Sequence, residues 1–198
     1  MHAPGQSVTV PWCKLRLLAH PPKSRTPELL NSDRITARFG SYGVELLQQS
    51  QRHRIANLHS GTAPEHICRT LAVTVFHLPV HEALQDVDTT IRAGASLGAT
   101  LRAAGWRVIR SDAAQATAPA GTAFEAISRH SCPAGTPLAL QVYTLLAANE
   151  SLRLPYAAIA EAYHPDHVAI AKPLPAHELE TELTGAAKEA LRGLLAAL

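Results

Sequence analysis

The chain has 198 residues, 46% of them apolar and 17% charged, with a formal net charge of +2 and aromatics held to 5%. This is an ordinary globular composition, long enough for one sizeable core. The small net charge argues against a nucleic-acid partner, which calls for a strongly basic face, and the few aromatics argue against a base-stacking platform.

No apolar run approaches the ~20 residues of a membrane helix, so no membrane partner is expected. The first residues lack the apolar core of a secretory signal, so the expected location is the cytoplasm. Cys13, Cys68 and Cys132 are odd in number and far apart, which fits reduced thiols rather than a disulfide framework. No CxxC pair, P-loop or nucleophile elbow occurs, so no metal, cofactor or hydrolase triad is expected.

Residues 1–32 read as an irregular leader, interrupted by Pro11, Pro21, Pro22 and Pro27. Asn31 or Ser32 is placed to cap a short helix over 33–39 that Gly40 closes. Strands follow at 44–49, 54–59 and 67–78. The last is the clearest, through Thr70, Val73, Thr74, Val75 and Phe76. Turn residues at 60–64 join the second and third strands into an antiparallel hairpin.

Ala83, Leu84, Val87 and Ile91 recur at helical spacing, and Gly94 ends that helix. A second short helix is expected over 96–104 and a strand over 106–110. Residues 111–123, rich in Ala, Thr, Pro and Gly, read as a surface loop or lid. Order resumes at 124–127. Strands at 138–146 and 156–163 form a second hairpin. One helix is then expected over 176–198, with Leu179, Leu183, Ala187, Leu191, Leu194 and Leu198 as its apolar stripe. No repeat or second composition regime appears. One domain is therefore expected over 33–170, with the last helix, 171–198, packed on it.

Four segments carry a family resemblance: Arg34 to Val44 (RITARFGSYGV), Arg54 to Val73 (RIANLHSGTAPEHICRTLAV), Gly94 to Leu101 (GASLGATL) and Gly135 to Tyr143 (GTPLALQVY). With the closing Tyr163-His164-Pro165-Asp166-His167, they resemble the chorismate lyase fold, shared by the UTRA ligand-sensing domains of GntR-type regulators. The resemblance implies an α+β fold, mostly an antiparallel sheet with helices on one face. It also implies a ligand pocket in which Arg54 binds the carboxylate of an aromatic ligand and Arg69 is a second partner. A guanidinium fork fits a carboxylate with two hydrogen bonds. Chorismate lyases carry a glutamate in the late strand, whereas here that stretch is Leu140-Gln141-Val142-Tyr143. This departure points to binding rather than lysis.

The expected function is binding of a small aromatic or otherwise planar carboxylate between the sheet and the two middle helices, by a sensor or carrier domain or a diverged enzyme. Arg54 and Arg69 anchor it, and Gln141 and Tyr143, on one side of a strand, orient it. Ordinary strand arginines paired with Glu45 or Glu65, and a core-filling Tyr143, are the plain alternatives. A pyruvate-releasing lyase would need another acid: Tyr143, Glu161 or Glu125. A third reading is a homodimer through 176–198. Cys68, next to Arg69, is either an activated nucleophile or a core residue. His164 and His167 flank a proline turn that is either polar and solvated or part of a metal site.

Overall fold

The computed structural model describes residues 29–169 and 174–198. Cys13 and nearly all of the expected leader lie outside them. The first helix, α1 (Asn31–Phe39), starts two residues before the expected 33. The side chain of Asp33 accepts a hydrogen bond from the Leu30 N–H at 3.1 Å, and Gly40 closes the helix at φ 78, a left-handed conformation that costs glycine least.

Among the described residues seven strands form one sheet, in the order β1-β2-β3-β6-β5-β4-β7. They are β1 (Gly43–Gln49), β2 (His53–Ser60), β3 (Ile67–Phe76), β4 (Arg107–Pro119), β5 (Pro137–Ala148), β6 (Arg153–Tyr163) and β7 (Leu174–Pro175). Every pairing is antiparallel except the short parallel contact of β7 with β4. The two expected hairpins, β2–β3 and β5–β6, are both present. β3 lies inside the sheet and is buried along nearly its whole length, which its run of β-branched and apolar residues allows.

Helices cover both faces of the sheet rather than one. Alternation along each strand explains this. Leu71, Val73 and Val75 of β3, with Leu140 and Val142 of β5, share one core with Leu191 and Leu194. Phe76, Tyr143 and Leu145 point the other way and share a second core with Ile91 and Leu101. The second face carries α2 (Gln85–Arg92) and α3 (Leu97–Ala103); between β4 and β5 lies the short α4 (Thr122–Ile127).

The C-terminal stretch is two helices, α5 (Ala176–Glu182) and α6 (Gly185–Ala197), not one. Leu183 and Thr184 are extended and Gly185 takes φ 54, so the helical ladder breaks there. Leu179, Leu191 and Leu194 are buried in the core of this chain. Leu183, Ala187 and Leu198 of the same stripe are partly buried against that core. No helix among the described residues is long and apolar enough to cross a membrane.

The expected loop and lid over 111–123 is instead mostly strand. β4 continues to Pro119, with a register shift between Ser111 and Ala114. Asp112 there adopts φ 54, a conformation Asp tolerates better than most side chains. The bulge re-aligns the strand, and Ala116 and Ala118 are buried in the α6-side core. Small residues with weak strand propensity hide such a strand from a propensity reading.

Candidate functional site

A cavity of about 80 Å³ lies between the sheet and the starts of α1 and α3. Two-residue spacing brings its walls together. β2 contributes Arg54, Ala56 and Leu58, and β4 contributes Val108 and Arg110. β5 contributes Tyr143 and Leu145, and β6 contributes Ile159 and Glu161. Asn31 and Ser32 close it from α1, and Ser96 and Leu97 from α3. The walls are largely apolar, with a few polar groups aimed inward, the usual make-up of a small-molecule site.

Arg54 is 3% exposed. It donates from Nη1 to the Ile91 carbonyl at 2.9 Å and from Nη2 to the Gly94 carbonyl at 3.4 Å. The guanidinium thus holds the carboxyl end of α2, where a cation complements the helix dipole. Burial pushes its pKa below the usual arginine range. Arg110 lies over the ring of Tyr143, 4.9 Å from its centroid. The Tyr143 phenol is pushed well up, first by burial and then by the negative charge of Glu161, so it stays protonated.

Glu161 is buried in the same wall. Its Oε1 accepts from Asn31 Nδ2 at 3.2 Å and its Oε2 from the Tyr163 hydroxyl at 2.5 Å. Asn31 Nδ2 also donates to Thr70 Oγ1 at 3.0 Å, and its Oδ1 receives a bond from His167 Nε2 at 2.7 Å. A side-chain amide oxygen only accepts, so His167 carries its proton on Nε2. Burial, followed by the charges of Arg34, Arg38 and Arg69, holds the His167 pKa down to about 4. Ser32 is among the lining residues, and its Oγ is buried and has no hydrogen-bond partner.

Of the four expected ligand contacts, Arg54 and Tyr143 line the cavity; Arg69 and Gln141 are not among its lining residues. Arg69 stands at a register shift of β2–β3, where Leu58 faces Thr70 and His59 faces Cys68. It donates from Nε to Ser60 Oγ at 2.8 Å and stacks 3.9 Å above the Phe39 ring. Its Nη1 is 3.6 Å from Asp166 Oδ2. Gln141 shares the face of Tyr143, with its side-chain amide 2.9 Å from the Tyr163 hydroxyl, whose single proton goes to Glu161.

The three acids named for a lyase now separate. Glu161 and Tyr143 are in the cavity. Glu125 instead bonds His130 and the Ala134 N–H. Alternation along the expected strand flags Glu161, a lone carboxylate in an otherwise apolar run. Arg110 is likewise two residues from the apolar Val108. Asn31 carries no such signal, because its role depends on a partner 130 residues away.

Two other candidates lose their chemistry. Cys68 is fully buried and burial drives its thiol pKa up, the opposite of an activated nucleophile. His164 Nδ1 accepts from the Asp166 N–H at 3.1 Å, which leaves the proton on Nε2, facing Ser131 Oγ at 3.1 Å. That tautomer cannot take the serine proton, so Ser131, His164 and Asp166 are no triad. Among the described residues no group of three or more His, Cys, Asp or Glu side chains is placed to hold a metal.

No family model matches the chain, and no curated protein matches it significantly. Among solved structures it is similar to the C-terminal domain of PhnF, at 15% identity and TM-score 0.42 over 71% of this chain and 79% of that one. It is similar to the C-terminal domain of YurK from Bacillus subtilis, at 16% identity and TM-score 0.37 over 65% and 90%. A third is the ligand-binding domain of a protein described as a GntR-family transcriptional regulator from Bordetella bronchiseptica, at 13% identity and TM-score 0.41 over 69% and 90%. Overlap of this size leaves the functional reading to the site itself.

Proposed function

We propose that this chain binds a small carboxylate of mostly apolar body in the cavity between the sheet and α1 and α3. The observation that carries this reading is the convergence of Arg54, Arg110 and Glu161 on apolar walls. Two guanidiniums supply positive potential for the acid group in a low-dielectric site, where charge acts strongly. Glu161 and the Tyr143 hydroxyl suit a second polar group on the ligand, and Ser32 Oγ is a further donor without a partner. Gln141 takes part through Tyr163 rather than by contact.

Size bounds the ligand. A benzene-binding protein cavity measures about 150 Å³, against about 80 Å³ here. A non-aromatic carboxylate of a few carbons fits as the cavity stands. A single ring fits once a side chain at the α3 end, such as Leu97, gives way. Calorimetric titration of small aliphatic and ring carboxylates tests the proposal. Saturable binding that Arg110→Met weakens supports it, and no binding by either class rejects it.

A second reading, an elimination enzyme releasing pyruvate, is favoured by one observation. Glu161 stands in the cavity as the acid or base that the 140–143 stretch lacks. Pyruvate release from chorismate, lost in Glu161→Gln, is the result this reading requires.

A further inference from the structure

We infer that α1 and the turn after β6 form a second ligand site, outside the cavity, that takes a small oxyanion such as phosphate or sulfate. Arg34 and Arg38 are four residues apart on α1 and so share a face. Arg69 reaches the same region from its bulge: its guanidinium is 3.9 Å from the Phe39 ring, where Arg38 stands at 5.7 Å. The His167 ring lies 5.9 Å from the same Phe39 ring. Arg34 is one helical turn from Asn31, whose oxygen holds His167, and its charge acts on that imidazole.

Among the described residues, three guanidiniums thus face little negative charge. Asp166 lies 3.6 Å from Arg69 and 3.7 Å from His164, with 66% of its side chain exposed. Asp33 is committed elsewhere, bound by both Nη atoms of Arg102 at 2.7 and 2.8 Å. An anion among these like charges is favoured electrostatically.

The donor geometry is more specific than the charge. Nε and Nη2 of Arg34 are both buried and both without a hydrogen-bond partner. These two atoms form one edge of the guanidinium plane, the edge that grips an oxyanion with parallel N–H bonds. Buried donors are nearly always satisfied, and an orphaned pair asks for an acceptor. His167 Nδ1 is also buried and unpartnered. It gains a donor proton if an anion raises its pKa. Arg38 is exposed, so the cluster reaches solvent at its rim.

Titration of sulfate into the full chain, with chloride replaced at constant ionic strength, tests the site. The wild type is expected to show a saturable rise in Tm. It is also expected to show a saturable shift of the His167 ring proton in NMR spectra. Arg34→Met abolishes both, Arg34→Lys weakens binding at least about tenfold because a point charge has no fork, and Arg110→Met in the cavity leaves both intact. Inorganic phosphate run beside phenyl phosphate tells a free ion from an esterified one, and saturation by either supports the site. The inference is overturned if sulfate and chloride act alike on the wild type, or if Arg34→Met responds as the wild type does. Should Arg34→Met fail to fold, an unmoved His167 proton in the wild type overturns it equally.

Discussion

The Asn31 side-chain amide donates to the Glu161 carboxylate across 3.2 Å, joining the first turn of α1 to the wall of the cavity. One residue at a helix start thereby fixes where α1 sits on the sheet and how a buried carboxylate points. The same amide is pinned from behind by His167 at 2.7 Å. The orientation of Glu161 therefore depends on a turn that the cavity itself does not touch.

Asn31→Ala removes three buried hydrogen bonds at once, those to Thr70, Glu161 and His167. A buried partner left unpaired costs about 1–3 kcal/mol, so a loss of about 3 kcal/mol is expected after partial relaxation. Urea denaturation measures it as a lower midpoint with the slope unchanged. A loss under about 0.5 kcal/mol would mean that the network does not hold α1 in place.

Arg54→Met is expected to cost about 2 kcal/mol, because the end of α2 loses its charged donor to the Ile91 carbonyl. It is also expected to reduce carboxylate binding. The two effects separate in the variant Arg54→Lys, which keeps a charge near the cavity but cannot reach two carbonyls with one fork. Ligand affinity in Arg54→Lys should fall less than stability does.

Acid should destabilise the fold through His167. Its pKa is held from 6.5 down to about 4, so between those values the unfolded chain binds a proton that the native chain does not. Stability then falls as pH falls. The contribution is complete above pH 6.5, declines through the window and is gone below about 4, about 3 kcal/mol in all. His167→Gln keeps an N–H for Asn31 without the titration. Denaturation midpoints from pH 7 to 4 should therefore fall less steeply in His167→Gln, and parallel curves would refute the assignment. His59 and His164, also pushed down by burial, add the same slope to both proteins and cancel.

The Cys68 thiol should resist reagents in the folded chain, since it has no exposed surface and its pKa is driven up. Its labelling rate is expected to follow global opening and to rise with urea. Fast labelling of Cys68 in native buffer would mean that β3 opens on its own.

Much of this architecture is legible in the residues. Val73 and Val75 announce β3, Gly40 ends α1, and the spacing of Ala83, Val87 and Ile91 marks the first middle helix. β4 beyond Ser111 is not legible, because Ala116 and Ala118 earn their places from the neighbouring strand and the α6-side core rather than from propensity. The break at Gly185 is hidden as well, since leucines on both sides of it keep one stripe. In the site, alternation reveals that Tyr143 shares a face with Gln141. It does not reveal that Tyr163 intercepts Gln141, or that a bulge sends Arg69 to Phe39. A one-residue register shift changes where a side chain ends up, and sequence spacing does not record it.

A thermal-shift series with small aliphatic and ring carboxylates, on the wild type and on Ala72→Leu, tests the central claim most directly. Ala72 lines the cavity, between Ala56 and Glu161 in the sheet register, and leucine there adds bulk to it while the Arg54 guanidinium and the Glu161 carboxylate stay in the chain. A bound ligand at a hundred times its Kd stabilises by about 2.7 kcal/mol, an easily read rise in Tm. The account predicts a saturable rise for at least one carboxylate in the wild type and none in Ala72→Leu. No rise with any carboxylate, or an equal rise in the filled variant, would contradict it.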